Sequence, residues 1–192
     1  KFLKTKDETY EIFSNFCNLT ENEKDTKIKR IRSDHGGEFE NHRFTQFCKI
    51  NGYQHEFSCP RTPQQNGLVE RKNRTLQEAA RTMLNEYKLN HQFWAEAINT
   101  ANYIQNRILI NKFHNKTPYE LYYHKIPNLN YLKVFGCKVH ILNTKDYLGK
   151  FTPKSNQGIF LGYSSTSRAF RVYNQNTLKV EETTNVIFDE EN

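Results

Sequence analysis

Tyr10, Phe13, Phe16 and Cys17 recur three and four residues apart, which predicts a helix over residues 7–20. Ile28 and Ile31 mark a short strand ending at Ser33-Asp34, and His35-Gly36-Gly37 is a turn signal. Phe44, Phe47 and Cys48 predict a second helix, closed by Asn51-Gly52. Tyr53, His55 and Phe57 alternate, so 53–58 reads as a strand. Pro60 to Gly67 is a loop by composition. A long helix follows over roughly 68–88, with Val69, Leu76, Ala80, Met83 and Tyr87 as its apolar stripe. Another covers about 91–107, with Phe93, Trp94, Ala97, Ile98, Ala101 and Ile104 on one face. Thr117-Pro118-Tyr119-Glu120 is a capping box with proline at the first helical position, and it starts a short helix through Tyr123.

From residue 131 the period changes to two. Phe135, Cys137, Val139 and Ile141 alternate, as do Phe170 and Val172, Leu178 and Val180, and Val186 and Phe188. Ile159-Phe160-Leu161 adds an apolar run, and Gly149, Gly158, Gly162 and Asn174 punctuate the segment. Five short strands between 131 and 189 predict a small β-barrel, with Phe135, Val139, Phe170 and Val172 on one buried side. The order is thus α/β, then helical, then all-β.

Composition narrows the class. Aromatic residues are 14% of the 192, with 14 Phe and 11 Tyr, enough to build a core and to exclude a disordered chain. No apolar run approaches the ~20 residues of a membrane-spanning helix. Cys17, Cys48, Cys59 and Cys137 form no C-x-x-C pair and no zinc-ligand spacing, so they read as buried, reduced thiols of an intracellular protein. The opening Lys1-Phe2-Leu3-Lys4 carries no signal peptide and no initiator Met, and reads as a cut through a longer polypeptide.

The net charge is +7. Residues 100–155 carry it, with Arg107, Lys112, Lys116, Lys125, Lys133, Lys138, Lys145, Lys150 and Lys154 against Glu120 and Asp146. The end is acidic, with Glu181, Glu182, Asp189, Glu190 and Glu191. A basic middle predicts an anionic partner, against the plainer reading of a solvated lysine-rich surface.

Two acids stand out by position. Asp34 follows a strand and opens a Gly-Gly turn, a place where α/β folds put functional carboxylates. Glu70 sits in the first turn of the long helix among cations. Taken singly, Asp34 reads as a turn former, and Glu70 as helix charge compensation with a salt bridge to Arg74.

Taken together, these residues resemble the integrase of copia-type long-terminal-repeat retrotransposons. The resemblance runs through Ile31-Arg32-Ser33-Asp34-His35-Gly36-Gly37-Glu38-Phe39 and Thr62-Pro63-Gln64-Gln65-Asn66-Gly67-Leu68-Val69-Glu70-Arg71-Lys72-Asn73-Arg74. It continues through Phe93-Trp94-Ala95-Glu96-Ala97, Lys116-Thr117-Pro118-Tyr119-Glu120 and Leu132-Lys133-Val134-Phe135-Gly136-Cys137. It ends with Gly158-Ile159-Phe160-Leu161-Gly162-Tyr163 and Val186-Ile187-Phe188-Asp189-Glu190, and so covers nearly the whole chain in order.

The resemblance implies an α/β fold: the distal part of a ribonuclease-H-like catalytic core (residues 1–90), a helical extension (91–130) and a small β-barrel with an acidic tail (131–192). It implies Asp–Asp–Glu chemistry with two Mg²⁺ or Mn²⁺ ions, which clamp an in-line displacement at phosphorus by a 3′-hydroxyl. Asp34 would be the second Asp and Glu70 the Glu, with thirty-five residues between them. Gln64, Gln65, Asn66, Arg71, Lys72 and Arg74 would contact DNA. Gly36, Glu38 and Trp94 would be structural, Trp94 as core between helices. His35 is not expected to be a ligand.

The partners implied are double-stranded DNA, as element ends and host target, and further copies of the integrase. The implied location is a cytoplasmic particle and the nucleus, with no membrane. Phe2-Leu3 would be the tail of the third strand. The strand bearing the first Asp would lie upstream of Lys1, since neither Asp7 nor Asp25 ends a hydrophobic strand. The zinc-binding domain that precedes the core in this family is also absent from the sequence, and this segment alone is expected to be inactive. Two rivals remain at this point: a DNA-binding remnant or domesticated copy without catalysis, and a ribonuclease-H-type nuclease.

Overall fold

The computed structural model describes residues 2–3, 5–59, 67–144, 149–151 and 153–190. The chain divides into two compact units, Lys1–Asn73 and Arg74–Asn192.

In the first unit, helix α1 (Thr9–Lys24) follows a 3-10 turn at Lys6–Glu8. Tyr10, Phe13 and Cys17 face inward, whereas Phe16 is 55% exposed. The helix stops at Asp25, whose left-handed φ of 48° turns the chain. Glu21 fixes that turn, because its carboxylate accepts from Lys27 Nζ and from the Ile28 backbone N–H, both at 2.8 Å. Strand β1 (Arg30–Ser33) follows. Helix α2 (His42–Asn51) is capped by Asn41, whose side chain accepts from Phe44 N–H, and closed by Gly52 at φ 73°. It crosses over to strand β2 (Gln54–Phe57), which pairs parallel with β1. Cys17, Ile31, Phe44, Phe47, Cys48 and Tyr53 form the core. Phe2 and Leu3, expected as the end of a strand, lie in none and are exposed.

Helix α3 (Gly67–Glu86) leads into the second unit. There α4 (Trp94–Ile108) and α5 (Pro118–Tyr123) precede five strands: β3 (Lys138–Leu142), β4 (Ser155–Tyr163), β5 (Phe170–Asn174), β6 (Lys179–Thr183) and β7 (Val186–Asp189). The capping box is present: Thr117 Oγ accepts from Glu120 N–H, and the Glu120 carboxylate accepts from Thr117 N–H at 2.8 Å. The strands form one antiparallel sheet, ordered β6-β5-β4-β3-β7. The expected barrel is therefore an open sheet, with no pairing that joins β6 to β7 among the described residues.

Strand alternation feeds two cores. Phe160 joins Cys137, Val139, Ile141 and Val172. Its neighbour Leu161 joins Ala80, Leu84, Phe93, Ala97 and Phe135 on the helix side. A bulge between Phe160 and Gly162 inserts Leu161 there, and the Leu161 carbonyl accepts from Thr100 Oγ of α4 at 2.9 Å. Phe135, expected beside Val139 and Val172, is in the helix-side core instead. It precedes β3, and Gly136, at φ 90° against the Tyr87 ring, turns the backbone between them.

Two ion pairs tie the unit together. Glu96 grips Arg171 with two bonds of 2.7 and 3.0 Å, and Glu190 accepts from Lys133 Nζ and Val134 N–H. Cys17, Cys48 and Cys137 are buried free thiols, as expected, while Cys59 is exposed.

Candidate catalytic carboxylates and nucleic-acid interface

Asp34 is the first residue past β1, at the carboxyl edge of the parallel pair. It is exposed, and its Oδ1 accepts from Gly36 N–H at 3.1 Å. The strand beneath it is fixed by a half-buried relay. Ser33 Oγ donates to the Asp34 carbonyl and accepts from His55 Nε2–H, both at 2.9 Å. Burial holds the His55 imidazole below its ordinary range, which suits a neutral ring with one proton for that bond.

The neighbouring acids of this loop are otherwise occupied. Glu40 lies 3.1 Å from His35 Nδ1, and Glu38 lies 3.8 Å from Lys6. Asp34 has no ion-pair partner among the described residues. The second nitrogen of His35 donates to the Ser58 carbonyl, and its ring stacks on Phe57, so both ring nitrogens are engaged. The Glu38 carboxylate covers Gly36 so closely that a Cβ there would stand 2.8 Å from it. The contact is with the far end of a flexible side chain, which a substitution at Gly36 would displace.

Glu70 lies on the exposed first turn of α3. Among the described residues it has no ion-pair partner, so the plainer reading of a salt bridge to Arg74 finds no support. Arg71, Lys72 and Arg74 are exposed beside it. Desolvation nevertheless draws the Lys72 ammonium below its ordinary range. Val69, expected in the apolar stripe, is 60% exposed, and Leu68 is 83% exposed. Only later in the helix do Ala80 and Leu84 become buried. Gln64, Gln65 and Asn66 lie outside the described residues.

Among the described residues no group of three or more His, Cys, Asp or Glu side chains is gathered to hold a metal. What the chain offers is two solvent-facing carboxylates. Their hard oxygens suit a small divalent cation that keeps part of its water shell and takes phosphate oxygens as further ligands.

The basic middle is only partly available to a partner. Arg107 lies 3.4 Å from the centre of the Tyr103 ring, and Lys133 is paired with Glu190. Lys112, Lys116, Lys125, Lys138, Lys150 and Lys154 are exposed, while Lys145 lies outside the described residues. Trp94, expected in the core, is 48% exposed and borders a groove with Gln77, Arg81, Asn85 and His91. It is the first residue of α4, directly after the buried Phe93, and the buried face of the helix begins only at Ala97 and continues through Thr100 and Ala101. Sequence reasoning missed the Ser33–His55 support of Asp34, because cross-strand register is invisible before the strands are paired.

Comparison with known proteins gives consistent results. Residues 137–192 match the family described as the retroviral polymerase SH3-like domain. The chain is 38% identical over 188 residues, 98% of its length, to the retrovirus-related Pol polyprotein from transposon TNT 1-94 of Nicotiana tabacum, of which it covers 14%. It is 34% identical over the same span to the Pol polyprotein from transposon RE1 of Arabidopsis thaliana, of which it covers 13%. The chain therefore spans about a seventh of the length of these relatives. In fold it resembles a chain of the cryo-EM structure of the simian T-cell lymphotropic virus intasome in complex with PP2A regulatory subunit B56 gamma. The TM-score is 0.51 at 15% identity, over 98% of this chain and 66% of that one.

Proposed function

Because its relatives are retrovirus-related Pol polyproteins of transposons, we propose that the chain is part of their integrase region and serves in joining element DNA to host DNA. Its contribution is two metal-binding carboxylates, Asp34 and Glu70, and part of the DNA-gripping surface. The observation that carries this reading is their placement. Each is an exposed carboxylate without an ion-pair partner among the described residues, one at the carboxyl edge of a parallel strand pair and the other on a cation-rich first helical turn.

Asp34 and Glu70 would hold divalent metal ions, which would supply electrostatic stabilisation of the negative charge on the phosphate and on the attacking and leaving oxygens. The chain's own residues do the rest. Asp34 is oriented by its bond from Gly36 N–H and by the Ser33–His55 relay beneath it. Arg71, Lys72 and Arg74 are placed to take phosphate oxygens and hold the DNA backbone against Glu70. No protein nucleophile is needed, since the attacker is a DNA 3′-hydroxyl.

Neither Asp7 nor Asp25 stands at a strand end, as the first Asp of the pattern would. Asp7 lies in the 3-10 turn before α1, and Asp25 is spent on the left-handed end of that helix. Residues 1–90 then form the distal part of a ribonuclease-H-like core, 91–130 a helical extension and 131–192 an SH3-like module. The partners are double-stranded DNA and further integrase copies, and the work takes place in the cytoplasmic particle and the nucleus.

The test is a joining assay with the complete integrase of the parent element, in Mg²⁺ or Mn²⁺, on duplexes bearing the element's end. Asp34→Asn and Glu70→Gln should each abolish joining while leaving DNA binding nearly intact. Full joining by the Glu70→Gln protein overturns the carboxylate mechanism. Preferential cleavage of an RNA–DNA hybrid by the unaltered protein favours a ribonuclease instead.

A further inference from the structure

Between α4 and α5 the chain makes a small hairpin that the integrase reading does not use. Asn111 and Lys116 form an antiparallel bridge, with Asn111 N–H donating to the Lys116 carbonyl at 2.8 Å. Asn115, at φ 48°, donates its N–H back to the Asn111 carbonyl at 2.8 Å. The Asn111 side chain accepts from Phe113 N–H at 2.9 Å. Three bonds centred on one asparagine thus hold a tip of Lys112-Phe113-His114-Asn115 in a single shape. The following residue, Thr117, is buried as the cap of α5, which anchors the hairpin's second arm.

That held tip presents an aromatic ring to water. Phe113 is 96% exposed, and Lys112, His114 and Lys116 around it are exposed too. No acid occurs from Ala97 to Tyr119, a stretch that contains Arg107, Lys112 and Lys116. Exposing a whole phenyl ring gains nothing for the fold, and the charges of the tip itself are positive, the nearest acid being Glu120 of the capping box, beside Lys116. Aromatic rings interleaved with cations bind single-stranded nucleic acid: the ring stacks on a base, and the cations take the flanking phosphates. An acidic protein would satisfy the cations equally but offers no reason for a flat ring at the tip.

We propose that the Asn111–Lys116 hairpin is a DNA contact in which Phe113 stacks on an unpaired or frayed base while Lys112 and Lys116 bind phosphates. The proposal rests on the reading of this chain as DNA-binding and specifies where and how one contact is made. Because the tip is pre-shaped, little ordering cost offsets the stacking.

The test measures binding of the 192-residue chain to a duplex with a short single-stranded overhang, across a range of salt concentrations. Phe113→Ala should weaken binding to the overhang roughly 5- to 150-fold, the equivalent of about 1–3 kcal/mol per stacked base. It should leave the slope of log K against log salt unchanged. Lys112→Ala combined with Lys116→Ala should instead flatten that slope by about 1.4, at roughly 0.7 for each single-strand phosphate contact. In a Trp94→Phe background, Phe113→Trp should restore binding, and its fluorescence should be quenched by the overhang. Phe113 is fully exposed, so these variants should keep the thermal stability of the parent.

Salt-dependent binding that Phe113→Ala leaves untouched overturns the hairpin contact while the DNA reading stands. Binding that is absent in the parent at low salt overturns the DNA reading itself. A loss of self-association on Phe113→Ala, with DNA affinity unchanged, assigns the tip to a protein interface and also overturns the proposal.

Discussion

Glu96 lies in the first turn of α4, and both its oxygens bind Arg171 on β5, Oε1 to Nη2 at 2.7 Å and Oε2 to Nε at 3.0 Å. The pair is partly withdrawn from water, at 17% and 30% side-chain exposure. Glu182 holds the remaining Nη1 at 2.8 Å and is itself 35% exposed. A charge-assisted hydrogen bond contributes about 1.5–3 kcal/mol, and an exposed pair below about 1 kcal/mol. Glu96→Gln removes the charge and one of two aligned bonds while Glu182 still compensates the guanidinium. A loss of about 2 kcal/mol follows for Glu96→Gln, and under about 1 kcal/mol for Glu182→Gln.

Trp94 is the only tryptophan of the chain and lies in this unit, so its fluorescence follows unfolding there and not in the first unit. With a urea dependence of about 2 kcal/mol/M, the midpoint should fall by ~1 M for Glu96→Gln and by less than ~0.5 M for Glu182→Gln. A double-mutant cycle with Arg171→Gln isolates the pair. Additive effects of Glu96→Gln and Arg171→Gln, with no coupling, would refute the claim that this clamp joins helix to sheet.

Two further outcomes concern each unit in turn. Gly162 has a φ of +133°, and a Cβ there would overlap Thr100 Oγ. Gly162→Ala should therefore cost at least about 1–3 kcal/mol from the backbone alone, with Thr100→Ala relieving only the overlap; an unchanged urea midpoint would contradict this. In the first unit, the bond from Lys27 and then the Ile28 N–H hold the Glu21 carboxylate below its ordinary range. A depressed carboxylate stabilises the fold fully above about pH 4.3 and progressively less as pH falls below that value. Glu21→Gln should thus destabilise at pH 7 and converge on the parent in acid; a constant difference down to pH 3 would show the assigned cause to be wrong.

How far the sequence could be read depended on the range of the interaction that decides each feature. Local periodicity located α1 to α4 and the strands, because Tyr10–Phe13–Cys17 or Val139–Ile141 place their own side chains on one face, and the Thr117–Glu120 capping box located α5. The side on which Phe135 packs was not legible, since it depends on the φ of Gly136 and on the Tyr87 ring that Gly136 abuts. The sheet's open edges depend on pairing among β3, β6 and β7, which alternation within each strand does not specify. Trp94 was misplaced because a helix's first turn need not face the core even when its later turns do. Asp34 and Glu70 were visible only as a spaced pair within a longer pattern, since each alone is an ordinary turn or cap residue. The Asn111 hairpin has no periodicity, and its shape lies in side-chain bonds from one asparagine.

The central claim is that Asp34 and Glu70 serve one divalent metal site. Paramagnetic broadening by Mn²⁺ in the isotope-labelled chain tests it most directly. The amides of Gly36 and Gly37 beside Asp34, and of Glu70 and Arg71, should broaden over the same range of Mn²⁺ concentration, and Asp34→Asn should weaken the effect at both places together. Broadening at only one of them, or broadening around Glu70 that Asp34→Asn leaves unchanged, would contradict a shared site.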